Sequence, residues 1–316
     1  MKIFVSGARG QLGSDVMACL RSRGHEAVGA DLGIANGVHK TAGTEPEMAD
    51  GVPESMEIDL DITDRGRVLK IIRDINPDAI IHCAAWTAVD KAEEPEEREK
   101  VFAVNVSGTR NLAEAALLTG AKMIYISSDY VFDGSGDRPW KPGDRTAPLN
   151  VYGRSKLEGE KAVMSLLSRY FIVRSSWLFG VHGNNFIRTM IRIGKTRDQV
   201  RVVNDQIGRP TFTRDLAVLL ADLAESDKYG IYHASNEGTY VSRYDLCRVC
   251  YLLAGLKTKV IPVSTGEYGP VKAPRPYNSR LDTSGLGENG FSSLPDWRDA
   301  VGRYLAEAEW NGTDQG

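Results

Sequence analysis

Two groups of residues in this 316-residue chain have spacings that can support chemistry. Gly7, Gly10 and Gly13 lie between a short apolar run and a helix-like stretch, so backbone amides there can approach a pyrophosphate at a helix N-terminus. Far downstream, Tyr152 and Lys156 place a phenol and an ammonium on one face of a helix, where the ammonium can lower the pKa of the phenol. Together the two groups predict hydride transfer coupled to proton transfer at a carbonyl.

An acidic residue strengthens the prediction of a dinucleotide site. Asp31 ends the next apolar run, 18 residues beyond Gly13, where a Rossmann fold places the acid that binds the ribose. A glycine triplet alone is a weak signal, and a Tyr-x-x-x-Lys pair alone is more often an exposed helix face. The strand–loop–helix context together with Asp31 predicts dinucleotide binding.

A hydroxyl at a predicted strand end completes the set of chemical groups. Reducing a ketone requires a proton for the developing alkoxide and a donor that holds the oxygen. The apolar run Lys122–Ser127 leads into Ser128, and ligands of open parallel sheets bind at such strand ends. A serine there can also be a simple turn cap. Beside Tyr152 and Lys156, Ser128 is the expected third donor, and Lys156 can also donate to the nicotinamide ribose.

Composition narrows the class of partner. Hydrophobic residues make up 42% and charged residues 26% of the chain, as in ordinary globular proteins. The 39 basic and 42 acidic residues leave a net charge of −3, which argues against a nucleic acid or a membrane surface as the main partner. No apolar run approaches the roughly 18 residues of a membrane span, and no signal segment opens the chain. These features predict a cytoplasmic protein.

The cysteines and histidines predict neither a disulfide framework nor a metal site. Cys247 and Cys250 are spaced like half of a metal site, but no second pair accompanies them. They lie in a helical pattern, so packing in the core is their expected role. No metal is therefore predicted.

Strand and helix patterns alternate in the first half of the chain. Strands are predicted at Ile3–Ser6, Glu26–Asp31, Ala79–Cys83, Lys122–Ser127 and Phe171–Ser175, and helices at Gln11–Arg23, Arg65–Ile75, Glu97–Thr119 and Tyr152–Ser168. This alternation predicts a parallel sheet covered on both faces. The expected fold class is α/β: a Rossmann-like doubly wound parallel sheet with a smaller, partly interleaved substrate-binding lobe.

The pattern is less regular after Trp177. The predicted elements there are helices at Asn185–Ile193, Thr213–Ser226, Ser242–Ala254 and Trp297–Ala308, and a late strand of the main sheet at Gly230–Ala234. Residues 1–176 and 212–236 are therefore assigned to the dinucleotide-binding domain. Residues 177–211 and 237–316 are assigned to the substrate-binding lobe.

The segment Leu32–Met56 interrupts the alternation. It contains Gly, Pro, Glu, Asp and Asn with little periodicity, which predicts a long loop between the second and third strands. An ordinary surface insertion is the simplest interpretation. Its position next to Asp31 leaves open an effect on the adenosine end of the cofactor.

Seven segments, in order along nearly the whole chain, carry a resemblance to a known family. They are Gly7–Gly13, Ala84–Glu93, Ser127–Gly134, Pro148–Gly153, Gly183–Phe186, Asn204–Gln206 and Asn278–Leu281. With these segments the chain resembles the extended short-chain dehydrogenases/reductases and, within them, the dTDP-4-dehydrorhamnose reductases. The Ala-Val-Asp-Lys-Ala-Glu and Ser-Asp-Tyr-Val-Phe-Asp-Gly runs are far more diagnostic than the glycines.

The resemblance implies a reaction and a set of site residues. The reaction is reduction of the C4 ketone of dTDP-4-dehydro-L-rhamnose to dTDP-L-rhamnose, a cell-surface sugar donor, with NADH or NADPH. The implied catalytic residues are Ser128, Tyr152 and Lys156. The implied cofactor-binding residues are Gly7, Gly10, Gln11, Leu12, Gly13, Asp31, Asp59, Leu60, Ala84, Ala85, Thr87, Tyr152 and Lys156. The expected substrate-binding residues are Ser128, Asp129, Trp177, Asn185 and Arg280. A homodimer is left open.

Two charged residues carry expectations about ligand choice. A carboxylate at Asp31 accepts ribose hydroxyls but repels a 2′-phosphate, so NADH is expected to be used at least as well as NADPH. Arg9, in the glycine loop, can partly neutralise such a phosphate. Arg280 is expected to bind the diphosphate of the substrate, with a surface or interdomain salt bridge as the alternative.

Other functions remain open beside the reductase. They are another sugar-nucleotide reductase, an epimerase or dehydratase, and a non-catalytic regulatory subunit that binds a dinucleotide. Dehydratases of this superfamily usually have Asp-Glu after the hydroxyl residue, whereas Asp129 and Tyr130 follow Ser128 here. Intact Ser128, Tyr152 and Lys156 argue against the regulatory subunit. The resembling family often has threonine at the position of Ser128, and serine keeps the hydroxyl.

Overall fold

A computed structural model describes residues 1–33 and 56–308 of the chain. The predicted loop at Leu32–Met56 falls mostly on residues 34–55, which lie outside the described residues. The described strands are β1 (Lys2–Ser6), β2 (Glu26–Asp31), β3 (Met56–Asp59), β4 (Ala79–His82), β5 (Lys122–Ser128), β6 (Tyr170–Ser175), β7 (Leu178–Phe179), β8 (Gln199–Val203), β9 (Ile207–Gly208), β10 (Thr211–Phe212), β11 (Gly230–Ala234), β12 (Val241–Ser242), β13 (Lys259–Val263) and β14 (Asn278–Ser279).

Helices connect these strands. They are α1 (Gln11–Ser22), α2 (Arg65–Ile75), α3 (Arg98–Phe102), α4 (Thr109–Thr119), α5 (Val151–Leu166), α6 (Phe186–Gly194), α7 (Thr213–Glu225), α8 (Arg243–Leu253), α9 (Thr265–Tyr268), α10 (Ser284–Glu288) and α11 (Trp297–Glu307). A π-helical turn, Ala103–Gly108, joins α3 to α4. None of the helices in the described part is long and apolar enough to cross a membrane.

The main sheet is parallel and doubly wound. In the described residues its strand order is β11-β6-β5-β4-β1-β2-β3. The chain runs from β1 outward to β3 and then returns to β4 before it continues in the other direction. The order therefore reverses between β1 and β4, and ligands of such sheets bind at the carboxyl ends of the strands beside this point. The predicted α/β fold class is confirmed.

Hydrophobic alternation along the strands divides the core into two layers. In β1, the side chains of Ile3 and Val5 pack on one face of the sheet and that of Phe4 on the other, and all three are fully buried. The first layer packs the sheet against α1 and α7, and the second packs it against α2, α4 and α5. Both faces are covered, as expected for a parallel sheet.

A third hydrophobic cluster lies outside the main sheet. It contains residues of α6, α8 and α11, together with short strands, and both Cys247 and Cys250 are buried in it. Their predicted role in core packing is therefore confirmed. Most of this cluster comes from the segments predicted to form the substrate-binding lobe. The division of the chain into two domains stays a prediction.

Several predicted elements differ from the observed ones for identifiable reasons. The predicted helix Glu97–Thr119 is divided by the π-helical turn at Ala103–Gly108. The strands β8 and β13 were not predicted. Within the described residues they pair only with each other, and Pro262 lies within β13. Short, partly exposed strands of this kind have no strong alternating pattern, so their sequence carries little signal.

Candidate active site

A cavity of about 730 Å³ opens at the carboxyl ends of the main-sheet strands. This volume lies in the usual range for a site that binds a small molecule or cofactor. Of the residues predicted from sequence, the following line it: Gly7, Gly10, Gln11, Leu12, Gly13, Asp31, Leu60, Ala84, Ala85, Thr87, Ser128, Asp129, Tyr152, Lys156 and Trp177. The fold thus brings together groups that are up to 170 positions apart in the chain.

The glycine loop is packed so tightly that side chains would not fit. Gly7 has a φ of +71°, which favours glycine, and a Cβ there would lie 2.6 Å from the backbone nitrogen of Ala84. A Cβ on Gly13 would overlap the carbonyl oxygen of Gly7. No side chain caps the N-terminus of α1 at Gly10. The first amides of α1 therefore face the cavity without a competing carboxylate or hydroxyl, as an anion site requires.

Asp31 is held in place by the backbone at the end of β2. Its carboxylate accepts hydrogen bonds from the backbone N–H groups of Arg9 (2.9 Å) and Leu32 (2.8 Å). The guanidinium of Arg9 forms an ion pair with Glu57, at 2.7 Å. The arginine of the glycine loop is therefore already paired with a carboxylate.

The wall that follows β4 depends on a residue that the sequence did not single out. Asn105, in the π-helical turn, accepts from the backbone N–H of Trp86 (2.8 Å) and donates to its carbonyl (3.1 Å). Its amide also donates to the hydroxyl of Ser155 on α5, at 2.8 Å. Asn105 thus ties the Ala84–Thr87 wall to the helix that carries Tyr152. π-helical turns are frequent at functional sites, but nothing in the local sequence predicts one.

Ser128 and Asp129 form the polar end of β5. The hydroxyl of Ser128 donates to the carboxylate of Asp129 (2.9 Å) and accepts from the backbone N–H of Tyr130 (3.2 Å). Both residues are buried. Burial raises the pKa of Asp129 to about 6, because desolvation disfavours its charged form. The Ser128 hydroxyl therefore caps the turn that follows β5 and is oriented by the carboxylate of Asp129.

Tyr152 and Lys156 lie one turn apart on α5, but their ionisation differs from the prediction. Burial raises the pKa of Tyr152, and the nearby Asp129 raises it further. Burial lowers the pKa of Lys156 to about 7, and its ammonium lies over the ring of Tyr125 at 4.2 Å. The predicted lowering of the pKa of Tyr152 by Lys156 is thus wrong for this structure, since desolvation outweighs the field of a cation that faces another ring.

The Ala88–Glu93 run acts on the position of α5. Glu93 accepts a hydrogen bond from the backbone N–H of Val151 at the start of α5, at 2.7 Å. Asp90 forms a bidentate ion pair with Arg275, with N···O distances of 2.9 and 2.7 Å. The side chain of Asn150 caps α5 by accepting from the backbone N–H of Gly153. The contacts of Glu93 and Asn150 fix the end of the helix that carries Tyr152.

Two residues at the opposite side of the cavity contact each other. Trp177, between β6 and β7, has a φ of +50°, a backbone conformation that is uncommon for a tryptophan. The guanidinium of Arg243, the first residue of α8, lies over its ring at 3.8 Å. Arg243 also lines the cavity. Arg243 was not predicted from the sequence, because nothing in its local sequence marks it and only the fold brings it to Trp177.

Three predicted site residues do not line the cavity. Asp59 accepts from the backbone N–H of Gly33, and its neighbour Leu60 faces the cavity instead. Asn185 caps α6 and donates to the side-chain oxygen of Gln11, at 3.1 Å. Arg280 donates to the side-chain oxygen of Asn278, two residues earlier, at 2.9 Å. All three side chains are therefore engaged in hydrogen bonds within the protein.

Comparison with known proteins decides the family. A family model described as "RmlD substrate binding domain" matches residues 1–310. The dTDP-4-dehydrorhamnose reductase of Escherichia coli K12 is 38% identical over 318 residues, which cover 97% of this chain and 98% of that protein. The chain belongs to the dTDP-4-dehydrorhamnose reductase family. It is therefore a nicotinamide-dependent oxidoreductase, as the sequence resemblance predicted.

Solved structures of this family share the fold of the chain. A dTDP-4-dehydrorhamnose reductase from Clostridium acetobutylicum matches with a TM-score of 0.86 and 37% identity, over 97% of this chain and 99% of that one. A Bacillus anthracis dTDP-4-dehydrorhamnose reductase in complex with NADP matches with a TM-score of 0.83 and 38% identity, with the same coverage. The agreement extends over both the main sheet and the later segments.

The residues of this chain fit a nicotinamide dinucleotide. The cradle between Gly7 and Ala84 has no room for a Cβ, so the backbone itself forms the surface that a pyrophosphate approaches. The uncapped N-terminus of α1 supplies donors to that pyrophosphate. Asp31 stands at the end of β2, as a ribose-binding acid does.

Proposed function

We propose that this chain reduces the C4 ketone of dTDP-4-dehydro-L-rhamnose to dTDP-L-rhamnose, for the synthesis of cell-surface polysaccharide. The observation that supports this proposal best is the convergence of Ser128, Tyr152 and Lys156 on the cavity that also contains the glycine loop. Family membership supplies the substrate class, and these side chains supply the groups that ketone reduction needs.

Tyr152 is the proton donor in this proposal, and Ser128 holds the carbonyl oxygen. Because the pKa of Tyr152 is raised, its phenol stays protonated at neutral pH and can give its proton to the alkoxide oxygen. The Ser128 oxygen is positioned by the backbone N–H of Tyr130, and its single O–H, which donates to Asp129 in the structure, must rotate to the carbonyl oxygen when the substrate binds. The nicotinamide, when bound, supplies the hydride.

Lys156 has two roles in the proposed site. Its ammonium has three donors, which suit the nicotinamide ribose hydroxyls. With a pKa of about 7, it can also lose and regain a proton near neutral pH, one helical turn from the phenol that must be reprotonated after each turnover. Burial beside the Tyr125 ring keeps the amine in place.

We further propose that NADH is used at least as well as NADPH. The Asp31 carboxylate suits the two ribose hydroxyls of NADH and repels a 2′-phosphate. Arg9 is the cation that can offset this repulsion, but it is paired with Glu57. A phosphate at this position must therefore compete with a carboxylate for the guanidinium.

The decisive experiment is oxidation of NADH in the presence of dTDP-4-dehydro-L-rhamnose, with the rhamnosyl product identified by mass spectrometry. The matched variant is Tyr152→Phe, which removes the phenolic proton and keeps the ring. We expect turnover to fall by roughly 10²–10⁴, the range for loss of a general acid. The affinity for NADH should be retained.

Two results would contradict the proposal. If the wild-type protein binds NADH but oxidises none of it with the keto-sugar, a regulatory subunit or a different sugar nucleotide becomes the better explanation. If Tyr152→Phe retains nearly full turnover, another residue supplies the proton.

A further inference from the structure

Arg243 occupies a position in the cavity that no catalytic step described above uses. It is the first residue of α8, directly after the cap formed by Ser242 and Asp245. Its guanidinium contacts two aromatic rings, 3.8 Å from the centre of the Trp177 ring and 5.1 Å from that of Phe186. A flat guanidinium stacked in this way keeps its N–H edges available for a planar or tetrahedral anion.

Arg243 differs from the other charged side chains that line the cavity, because it is a cation that stays charged at neutral pH. Among the described lining residues the acids are Asp31, Asp61 and Asp129, and the cations are Lys156 and Arg243. Lys156 has a pKa of about 7 and is directed at the ring of Tyr125. Burial lowers the pKa of Arg243 only to about 10, so it stays charged at neutral pH. Within the described lining, Arg243 is thus the cation that does not lose its charge near neutrality.

Other arginines of the later segments are already engaged. Arg209 pairs with Glu237 at 2.9 Å, and Arg275 pairs with Asp90 at 2.7 Å. Arg280, which was expected to bind the diphosphate, donates to the side chain of Asn278. In the part of the chain that the structure describes, the Arg243 guanidinium has ring contacts but no carboxylate or carbonyl partner.

The ring that Arg243 contacts belongs to a residue with an unusual backbone conformation. Trp177 adopts a φ of +50°, and such strained residues persist mainly at functional sites. A Cβ on Gly208 would lie 3.0 Å from the Trp177 ring, so the glycine leaves room for the indole. The strained backbone of Trp177 and the absence of a side chain at Gly208 thus both allow the indole to lie beneath the Arg243 guanidinium.

We propose that Arg243, stacked on Trp177, binds the diphosphate of the sugar nucleotide, and this inference rests on the proposed function. Arg243 is close enough to Asp129 and Tyr130 to influence the ionisation of both. These two residues directly follow Ser128, which holds the reacting carbonyl. Because C1 and C4 lie at opposite sides of a pyranose ring, the diphosphate on C1 lies about one sugar ring from that carbonyl. Arg243 lines the cavity together with Ser128 and Asp129, whereas Arg280 is not among the described lining residues.

Binding of nucleotides without a reacting sugar tests this inference separately from catalysis. The affinities of dTDP, thymidine and NADH are measured by calorimetry for the wild type and for Arg243→Gln. Loss of a charge-assisted contact should weaken dTDP about tenfold or more. Thymidine, which lacks phosphate, and NADH should change less than about twofold, and retained NADH affinity also shows that the variant is folded.

Control variants separate charge from packing. Arg248→Gln removes an exposed arginine from the same helix, and Arg280→Gln removes the arginine that was expected from sequence. Both should leave the affinity for dTDP unchanged. Arg243→Lys keeps the charge but loses the planar guanidinium group. The affinity of this variant for dTDP should therefore lie between that of the wild type and that of Arg243→Gln.

Several outcomes would overturn the inference. They are unchanged dTDP affinity in Arg243→Gln, an equal loss for dTDP and thymidine, an equal loss for NADH, or a larger loss in Arg280→Gln. Failure of the proposed function has a different signature. In that case the wild type does not reduce the keto-sugar, while the selective loss of dTDP in Arg243→Gln still shows what this arginine binds.

Discussion

Tyr152 and Lys156 share one face of α5, yet burial acts on them in opposite directions. It raises the pKa of the phenol and lowers the pKa of the amine, because in each case the charged form loses its hydration. Tyr152 is therefore a stable proton donor at neutral pH. Lys156, at about 7, is the member of the pair whose protonation changes in the range where such an enzyme works.

The pH dependence of turnover should report Lys156. Ketone reduction consumes a proton, and Lys156 is protonated below about pH 7 and neutral above it. We expect kcat to fall as the pH rises through about 7, measured at saturating keto-sugar and NADH. In Lys156→Met, the remaining activity should be low and should lack this step. A wild-type kcat that is constant from pH 6 to 8.5 would contradict the assignment.

Cofactor choice should depend on the carboxylates around Arg9. In the double variant Asp31→Asn, Glu57→Gln, two repulsive charges are removed and the Arg9 guanidinium is released from its ion pair. We expect the ratio of kcat/KM for NADPH to that for NADH to rise by about tenfold, which corresponds to about 1.4 kcal/mol.

A matched control for this variant is Glu26→Gln. Glu26 begins the same strand, β2, and its carboxylate pairs with Lys2 at the end of the strand away from Asp31. The cofactor ratio should not change in it. An unchanged ratio in the double variant would show that other residues determine the preference.

At the scale of elements, α5 is fixed to the sheet by a buried ion pair. Glu160 lies one turn after Lys156 and accepts from the Arg174 guanidinium of β6 (2.8 and 2.7 Å) and from the hydroxyl of Ser127 (2.6 Å). The carboxylate and the guanidinium are almost completely buried, with side-chain exposures of 0% and 4%. This pair holds the helix that carries Tyr152 and Lys156 against the strand that ends in Ser128.

Removing one charge of this pair should destabilise the protein strongly. Glu160→Gln leaves the Arg174 guanidinium buried without a counter-charge, which typically costs about 3–5 kcal/mol. Thermal unfolding should therefore occur at a clearly lower temperature. Glu158→Gln, on the same helix, breaks an exposed pair with Lys161 and should cost no more than about 1 kcal/mol. Equal unfolding temperatures for the two variants would contradict this account.

Elements of the main sheet were predictable because their signals are local. The bounds predicted for β2, α2 and β11 agree with the structure, since apolar periodicity and flanking turn residues define them. The π-helical turn was not predictable, because its residues also suit an ordinary helix. The short pair β8 and β13 depends on contacts between distant segments, which no local pattern records.

The site residues likewise divide into those that the local sequence predicts and those that depend on contacts between distant segments. Asp31 and Ser128 follow strands, so the fold rule for parallel sheets places them at the cavity. Arg243 reaches the cavity only by packing on Trp177, a residue 66 positions earlier in the chain. Arg280 has the required charge, but a hydrogen bond to Asn278 directs it elsewhere. Residue type predicts which chemistry is available, and tertiary contacts decide which copy of that residue reaches the cavity.

At the scale of the whole molecule, the cavity has one wall from the main sheet and another from residues near the third hydrophobic cluster. The glycine loop, Ser128 and Tyr152 belong to the first wall. Trp177 packs against the third cluster, and Arg243 begins α8, whose buried face forms part of it. This arrangement supports the proposed division into a dinucleotide-binding domain and a substrate-binding lobe.

Hydrogen exchange on a pair of core variants tests that division. Val301, on α11, is fully buried in the third cluster, and Val16, on α1, is fully buried against the main sheet. Valine-to-alanine substitution should cost about 1–3 kcal/mol at either position, because each removes buried methyl groups and leaves a cavity. If the lobe opens as a unit of its own, Val301→Ala should speed exchange mainly in α6, α8 and α11. Val16→Ala should speed exchange mainly in α1, α7 and the central strands. If both variants show the same pattern of exchange, the chain opens as one cooperative unit and the division is wrong.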